Sequence, residues 1–173
     1  MAISLYDVSV VNYLQVLSGM SSVLAKGAEY AAAGDLDLAR VVETRLAPDM
    51  LPFSFQVISV SHHSLGAIQG ISKGLFAPPP SLPDPNYQDL QKLLGDATRE
   101  LQALSREEVD ALQGKAMKFK AGSFELPFTA ENFVLSFSLP NFYFHATTAY
   151  DMLRMSGVPL GKMDFLGPMR VTE

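Results

Sequence analysis

The chain has 173 residues, of which 48% are hydrophobic and 18% are charged, with a net charge of -5 and no cysteine. A chain of this length suits one domain around one core, so we predict a single domain over residues 1–173. The lack of cysteine excludes a thiolate nucleophile, a cysteine-ligated metal and a disulfide framework. The 13 Lys and Arg residues are outnumbered by 18 Asp and Glu and form no basic stripe, which argues against nucleic acid as a partner.

The N-terminal segment, MAISLYDVSVVNYL, lacks the basic region of a secretory signal. No apolar run along the chain approaches the roughly 20 residues that span a bilayer. We therefore expect a soluble, cytoplasmic protein with no membrane partner.

A first helix is predicted from Ser4 or Asp7, either of which can cap it, to Gly34. Its apolar positions recur at three-four spacing, as on one face of a helix, at Val10, Leu14, Leu17, Leu24, Ala28 and Ala31. A short helical segment is predicted next, in DLDLARVVETRL. It ends before Pro48, whose fixed φ angle suits the first position of the following helix.

The second helix is predicted from about Asp49 to Leu75, and more than half of its circumference is apolar, which indicates packing on two sides. Asp49 would then complement the helix dipole from the first turn and pair with Arg45. The polar face of this helix is a strip at three-four spacing, formed by Gln56, Ser59, His63, Gly66, Gly70 and Lys73.

The remaining elements follow a proline-rich connector over residues 77–86, which cannot be helical. A third helix is predicted from Tyr87 to Leu104, and a short two-stranded hairpin over residues 116–128. The fourth helix is predicted from the Thr129 cap to Gly157, with a kink at Pro140, and the tail after it as a loop. These elements predict an all-α fold: a four-helix bundle with a small β-hairpin between helices three and four.

The three histidines are the first candidates for a site. On the fourth helix, His145 falls on the core-facing stripe, with Asn141 one turn earlier. On the second helix the same geometry turns His62 inward and leaves His63 solvated on the polar strip. Facing imidazoles from two helices are typical of a metal site in a bundle. A core histidine with an asparagine one turn away is more often a structural hydrogen-bonded pair, and this interpretation is favoured.

Two sequence strings resemble the hallmarks of a known family: RLAPDM and LPNFYFHATTAYDMLRMSGVPLGKMDFLG. They are similar to an uncharacterised bacterial family of domains of unknown function within the DinB/YfiT-like superfamily of metalloenzymes. The resemblance covers nearly the whole chain. It implies a DinB-like four-helix bundle, often dimeric, in which a histidine of the second helix and an HxxxH pair of the last helix bind a divalent metal such as nickel or zinc. Relatives include thiol-dependent transferases and isomerases.

By this resemblance His145 matches the second histidine of the HxxxH pair, Asn141 stands in place of the first, and His62 matches the helix-two ligand. The implied metal ligands are therefore His62, Asn141 and His145, with nickel or zinc as the cofactor. An amide is a weak transition-metal ligand, so Asn141 favours a degenerate site in a non-enzymatic or small-ligand-binding bundle. The alternative is a divalent-metal-dependent enzyme of the thiol-dependent transferase or hydrolase type.

Aromatic residues on the fourth helix suggest a homodimer. Phe133, Phe137 and Phe144 form a second stripe, which together with the two-sided second helix predicts association through these helices. Light scattering at micromolar concentration should then report twice the monomer mass. A monomer under those conditions would contradict the prediction.

Overall fold

The structure is a computed structural model that describes residues 3–34 and 36–171. The described chain is mostly helical, with a small three-stranded sheet. Its elements in chain order are α1 (Leu5–Val8), α2 (Val10–Ala32), α3 (Leu38–Glu43), α4 (Phe53–Ser61), a first π-helical turn (His62–Gly66), α5 (Ala67–Lys73), β1 (Leu75–Phe76), α6 (Tyr87–Gln102), α7 (Arg106–Asp110), β2 (Ala116–Ala121), β3 (Phe124–Thr129), α8 (Ala130–Phe133), a second π-helical turn (Val134–Ser138), α9 (Leu139–Met155) and α10 (Lys162–Leu166).

The first predicted helix is present as α1 and α2, which together run from Leu5 to Ala32. Ser4 caps α1 through a capping box with Asp7, as its position in the sequence indicates. The segment is long and apolar enough to cross a membrane by length and composition alone, with a mean hydropathy of 1.3. The prediction that no apolar segment approaches the length needed to span a bilayer is therefore wrong by length and composition. Half of the apolar window is buried inside the protein, which is the behaviour of a core helix.

The second long helix starts later than predicted. Pro52 is its N-cap and Phe53 its first residue, whereas Pro48 lies in the preceding bend. Residue 49 is therefore outside the helix, and Arg45 donates to the carbonyl of Met50 instead of pairing with Asp49. The prediction failed because two prolines with helix-compatible φ angles stand four residues apart, and the sequence pattern alone does not choose between them.

A π-helical turn widens each of the two helices that carry histidines. In the first turn the amide of Ala67 bonds to the carbonyl of Ser64. In a regular α-helix this amide would bond to the carbonyl of His63, which is therefore available to another donor. Ser138, at the end of the second turn, donates to this His63 carbonyl at 2.6 Å. Tyr13 of α2 lies 2.7 Å from the same Ser138 hydroxyl. Since Ser138 gives its only proton to His63, Tyr13 is the donor, and three helices are tied together at one point.

The second π-helical turn lies directly before Pro140, where the sequence predicts a kink. Proline has no amide proton for the helical ladder, and a widened turn at this place accommodates the missing donor.

The sheet has the order β1-β2-β3. Strands β2 and β3 pair antiparallel from Ala116 opposite Thr129 to Ala121 opposite Phe124. Strand β1, which the sequence did not predict, pairs parallel with β2 and follows α5 after one left-handed glycine, Gly74. This strand matters for the site because it buries Phe76 among the helices.

The segment after Gly157 contains the helix α10, where a loop was predicted. This helix packs on α2 at Gly19, and Lys26 forms an ion pair with Asp164 at 2.6 Å. Helices of five residues are marginal alone, so tertiary packing decides this element.

The predicted aromatic stripe of the fourth helix is not one surface. Phe133 is fully buried and Phe137 is half-buried, whereas Phe144 is 56% exposed. The interpretation of Phe133 as an interface residue is therefore wrong, because the widened turn and the sheet place it in the core.

The Tyr13–Ser138–His63 hydrogen bonds should be visible in stability. Ser138→Ala leaves the Tyr13 hydroxyl and the His63 carbonyl without this partner, so we expect a loss of about 2–3 kcal/mol in the free energy of unfolding. Tyr13→Phe removes one bond and should cost about 1 kcal/mol. Urea denaturation measures both. Ser136→Ala, on the same helix but exposed, is the control and should stay within about 0.5 kcal/mol of the parent.

Two helical glycines provide a matched pair. A Cβ at Gly19 would collide with the Phe165 carbonyl, whereas a Cβ at Gly95 would meet nothing within 4 Å. We expect Gly19→Ala to destabilise by about 1–3 kcal/mol and Gly95→Ala to stabilise by about 0.5–1 kcal/mol, by helix propensity. Thermal unfolding tests both, and equal shifts of the same sign would contradict the packing of α10 on α2.

Candidate functional site

The first half of the polar strip on the second long helix, Gln56 to His63, faces inward against α9, whereas Lys73 at the end of the strip is exposed. Gln56, Ser59 and His63 are only 2%, 1% and 7% exposed. The three-four spacing groups these residues correctly, but the expectation that His63 is solvated is wrong. It failed because a polar strip was taken to face water, whereas this one supplies the polar groups of a buried site. His62, expected to be the inward residue, is half-buried.

Two of these inward residues, Ser59 and His63, line a small cavity of about 200 Å³. Its walls come from α4, both π-helical turns, β1, β2, α9 and the proline-rich connector. They are formed by Phe55, Ser59, His62, His63, Phe76, Pro78, Pro79, Phe119, Phe137, Asn141 and His145. The structure therefore brings the predicted set of His62, Asn141 and His145 around one space and adds His63 to it. We call this space the histidine cavity.

A chain of hydrogen bonds fixes the tautomer of His145. Gln56 contacts the Leu51 carbonyl at 2.9 Å, and a carbonyl can only accept, so the amide nitrogen of Gln56 must face it. The remaining amide oxygen of Gln56 lies 2.8 Å from Nδ1 of His145 and must accept a proton from it. In the neutral ring, Nε2 of His145 is therefore a hydrogen-bond acceptor.

Asn141 is oriented by the same logic. Its amide nitrogen donates to the Phe137 carbonyl at 2.7 Å, within its own helix. The amide oxygen is therefore free to accept a hydrogen bond from a ligand, and the second N–H of the amide remains a donor.

His62 points its Nε2 at the connector, where it lies 2.7 Å from the Ala77 carbonyl and must be the donor. Its ring stacks on Phe76, with centroids 4.3 Å apart and planes 25° apart. Nδ1 is packed against Gly66, where an added Cβ would come within 3.0 Å of it. His62 thus fastens the connector to the second helix, and neither of its nitrogens is directed freely at His145.

His63 is the buried partner of His145. The two rings are nearly parallel, with centroids 5.8 Å apart and planes 20° apart. Nδ1 of His63 is buried without a hydrogen-bond partner in the described structure, and so is the Ser59 hydroxyl. These two orphaned polar atoms belong to residues that line the histidine cavity.

The imidazoles of the cavity are held in the neutral form. Burial, reinforced by the neighbouring histidines, lowers the pKa of His63 to about 3. Burial alone lowers the pKa of His145 to about 4, and burial also lowers that of His62. No Lys, Arg, Asp or Glu belongs to the described wall. The cavity therefore presents lone pairs and aromatic rings without a formal charge.

The donor set fits a divalent metal poorly. Nε2 of His62 is engaged by Ala77, which leaves His145, the Asn141 oxygen and His63 as neutral donors. The described residues contain no group of three His, Cys, Asp or Glu side chains arranged to hold a metal. Anionic ligands that would compensate the charge of a cation such as zinc are thus missing from the wall.

Sequence reasoning missed His63, Ser59, Gln56 and the aromatic wall. The signal for the first three was the strip itself, since a regular polar stripe on an otherwise apolar helix also fits a buried site. The rings of Phe76 and Phe119 come from two strands of the sheet, and their proximity to α9 has no signal in local sequence.

The depressed histidine pKa values predict acid sensitivity. Because these values lie below the ordinary histidine value of 6.5, the unfolded chain takes up protons first as the pH falls. Stability should be full above about pH 7 and decline from pH 6.5 toward pH 4, by about 1.4 kcal/mol per pH unit for each such histidine.

Urea unfolding at pH 7.5, 6.5 and 5.5 measures this decline. His145→Phe should make the decline in stability shallower by the contribution of one histidine, about 1.4 kcal/mol per pH unit. Tyr143→Phe changes an exposed neighbour on the same helix and should leave the decline unchanged. An unaltered slope in His145→Phe would show that His145 titrates normally in the folded protein.

Comparisons with known proteins agree with this architecture. The model of a family described as "Domain of unknown function (DUF1993)" matches residues 5–166. No curated protein matches the chain. A crystal structure of a DinB family member protein from Shewanella denitrificans aligns with a TM-score of 0.79, over 98% of this chain and 95% of that chain, at 24% sequence identity. At that identity the likeness shows that the two chains share a fold.

Proposed function

We propose that this chain, which belongs to the DUF1993 family of domains of unknown function, is a small-molecule-binding protein with a DinB-like fold and its site in the histidine cavity. The observation that carries the proposal is the pair of orphaned polar atoms, Ser59 Oγ and His63 Nδ1, on residues that line the cavity. Because both atoms are themselves buried, a ligand in the cavity would bond to them after a change of side-chain rotamer.

The energetic argument concerns the cost of these orphaned groups. A buried polar atom without a partner costs about 1–3 kcal/mol, and most buried polar atoms are paired. Two such atoms at one cavity, beside an imidazole oriented by Gln56, form a prearranged set of contacts. The cavity of about 200 Å³ is smaller than the usual drug-sized pocket, so the ligand is a small molecule.

The finer architecture we assign is the predicted four-helix bundle with a hairpin between helices three and four. Its support is the set of four long helical segments over residues 5–32, 53–73, 87–102 and 130–155.

A homodimer is supported by the exposed Leu135 and Phe144 on the fourth segment. A cytoplasmic location is compatible with the absence of cysteine from the sequence, since the fold needs no disulfide.

Two buried serines on one helical segment test the proposal. Ser59 has an unpaired hydroxyl, whereas the hydroxyl of Ser64 bonds to the Val60 and Ser61 carbonyls. Ser59→Ala should therefore leave the free protein equally or more stable, by up to about 1 kcal/mol, and weaken binding of fragments found by NMR screening. Ser64→Ala should cost about 1 kcal/mol and leave binding intact.

The proposal requires both the stability difference and the binding difference between Ser59→Ala and Ser64→Ala. A stability loss in Ser59→Ala as large as that in Ser64→Ala would mean that the Ser59 hydroxyl already has a partner in the free protein. A screen in which no fragment shifts the side-chain signals of Asn141 or His145 would remove the proposed site.

A divalent-metal-dependent enzyme of the thiol-dependent transferase or hydrolase type is the second candidate. It requires His62 to release the Ala77 carbonyl before His62, Asn141 and His145 could hold nickel or zinc. One observation favours it: metal-ligating histidines usually donate their other ring proton to an acceptor, as His145 does to Gln56.

This second candidate requires a metal in the protein. Protein purified without an affinity tag should then carry stoichiometric metal by elemental analysis, and added nickel or zinc should raise the melting temperature of stripped protein. His145→Phe should abolish that rise. Absence of both effects would leave small-molecule binding as the remaining candidate.

A further inference from the structure

We infer that the ligand of the histidine cavity is a small primary alkylammonium ion, held by lone pairs around its nitrogen and by aromatic rings around its carbon chain. This inference rests on the proposed function and names the ligand class for the same site. Three independent properties of the wall support it: its hydrogen-bonding polarity, its rings and its charge.

The first property is that the wall holds two acceptors whose orientation is fixed. Gln56 accepts from Nδ1 of His145, so Nε2 of the neutral ring is an acceptor, and the Asn141 oxygen is free because the amide nitrogen is the atom bonded to the Phe137 carbonyl. A ligand that bonds to both must donate at least two hydrogen bonds from one small group, as an ammonium group with three N–H donors does.

The second property is the aromatic enclosure. Phe55, Phe76, Phe119 and Phe137 all line the cavity, and the last two have ring centroids only 4.8 Å apart. The His63 ring packs against both Phe76 and Phe137, with centroid distances of 5.3 Å and 5.8 Å. Ring faces carry partial negative charge, and they attract a cation while also burying its alkyl part.

The third property is the charge of the wall. The residues that form it include no Lys or Arg to bind a carboxylate or phosphate, and the chain as a whole carries a net charge of -5. An anionic ligand would therefore enter a space that offers mainly lone pairs, which is unfavourable. Burial also disfavours a positive charge, as the low pKa values of His63 and His145 show, so the ammonium ion depends on the acceptors and the ring faces to replace its lost hydration. A neutral alcohol has one donor, whereas the wall has two oriented acceptors.

The experiment compares four probes of similar size on protein treated with EDTA, by isothermal titration calorimetry at pH 7.5. Isobutylammonium has charge and three donors, tetramethylammonium has charge without donors, isobutanol has one donor without charge, and isobutyrate has the opposite charge. We expect isobutylammonium to bind about tenfold or more tightly than tetramethylammonium or isobutanol, and isobutyrate not to bind.

His145→Phe keeps a ring in place and removes the acceptor. It should therefore weaken the binding of isobutylammonium about tenfold, to an affinity near that for tetramethylammonium. Tyr143→Phe is the control and should bind all probes as the parent does. Melting curves of both variants establish that they are folded; if His145→Phe does not fold, Asn141→Leu tests the second acceptor in the same way.

The outcomes separate this inference from the proposed function. Preferential binding of isobutanol or isobutyrate, with shifts at His145, would overturn the ammonium assignment and keep a small-molecule site. Equal binding of isobutylammonium and tetramethylammonium would overturn the role of the acceptors. Binding of none of the four probes would overturn the ammonium assignment, and the separate fragment screen would then decide whether the cavity binds any molecule.

Discussion

Burial of a polar strip against α9 is the constraint on which the rest of the structure depends. Polar groups withdrawn from water must find partners or remain costly. Gln56 meets this requirement by spanning from the Leu51 carbonyl to His145, which sets the polarity of the cavity as well as the contact between two helices. Ser59 and His63 do not meet it within the described structure, and that shortfall is what makes the cavity a candidate site.

The two π-helical turns connect the backbone to that buried strip. A widened turn frees a backbone carbonyl, and here the carbonyl of His63 is taken by Ser138, which in turn accepts from Tyr13. Such turns are frequent at functional sites because they change the direction of a side chain without ending the helix. In this chain they occur on both histidine-bearing helices, so backbone geometry and site geometry are linked through one serine.

The DinB-like fold is compatible with several chemistries, so function has to be argued from the residues of the site. Asparagine at position 141 and the bond between His62 and Ala77 both reduce the capacity for a divalent cation. The same features orient an amide oxygen and fasten the proline-rich connector beside the cavity. A site that has few anionic ligands but several oriented acceptors and aromatic rings is better suited to a donor-rich organic molecule than to a metal.

The sequence by itself determined the long helices and their caps, because apolar periodicity, Ser4, Thr129 and Gly157 are local signals that act within a few residues. It also grouped the members of the polar strip and placed His145 toward the interior. Only the tertiary structure decided which way the strip faces, because that depends on what α9 and the sheet bring against it. The choice of His63 over His62 follows from this: hydrophobic periodicity defines the faces of a helix, but its packing partners decide which face is buried.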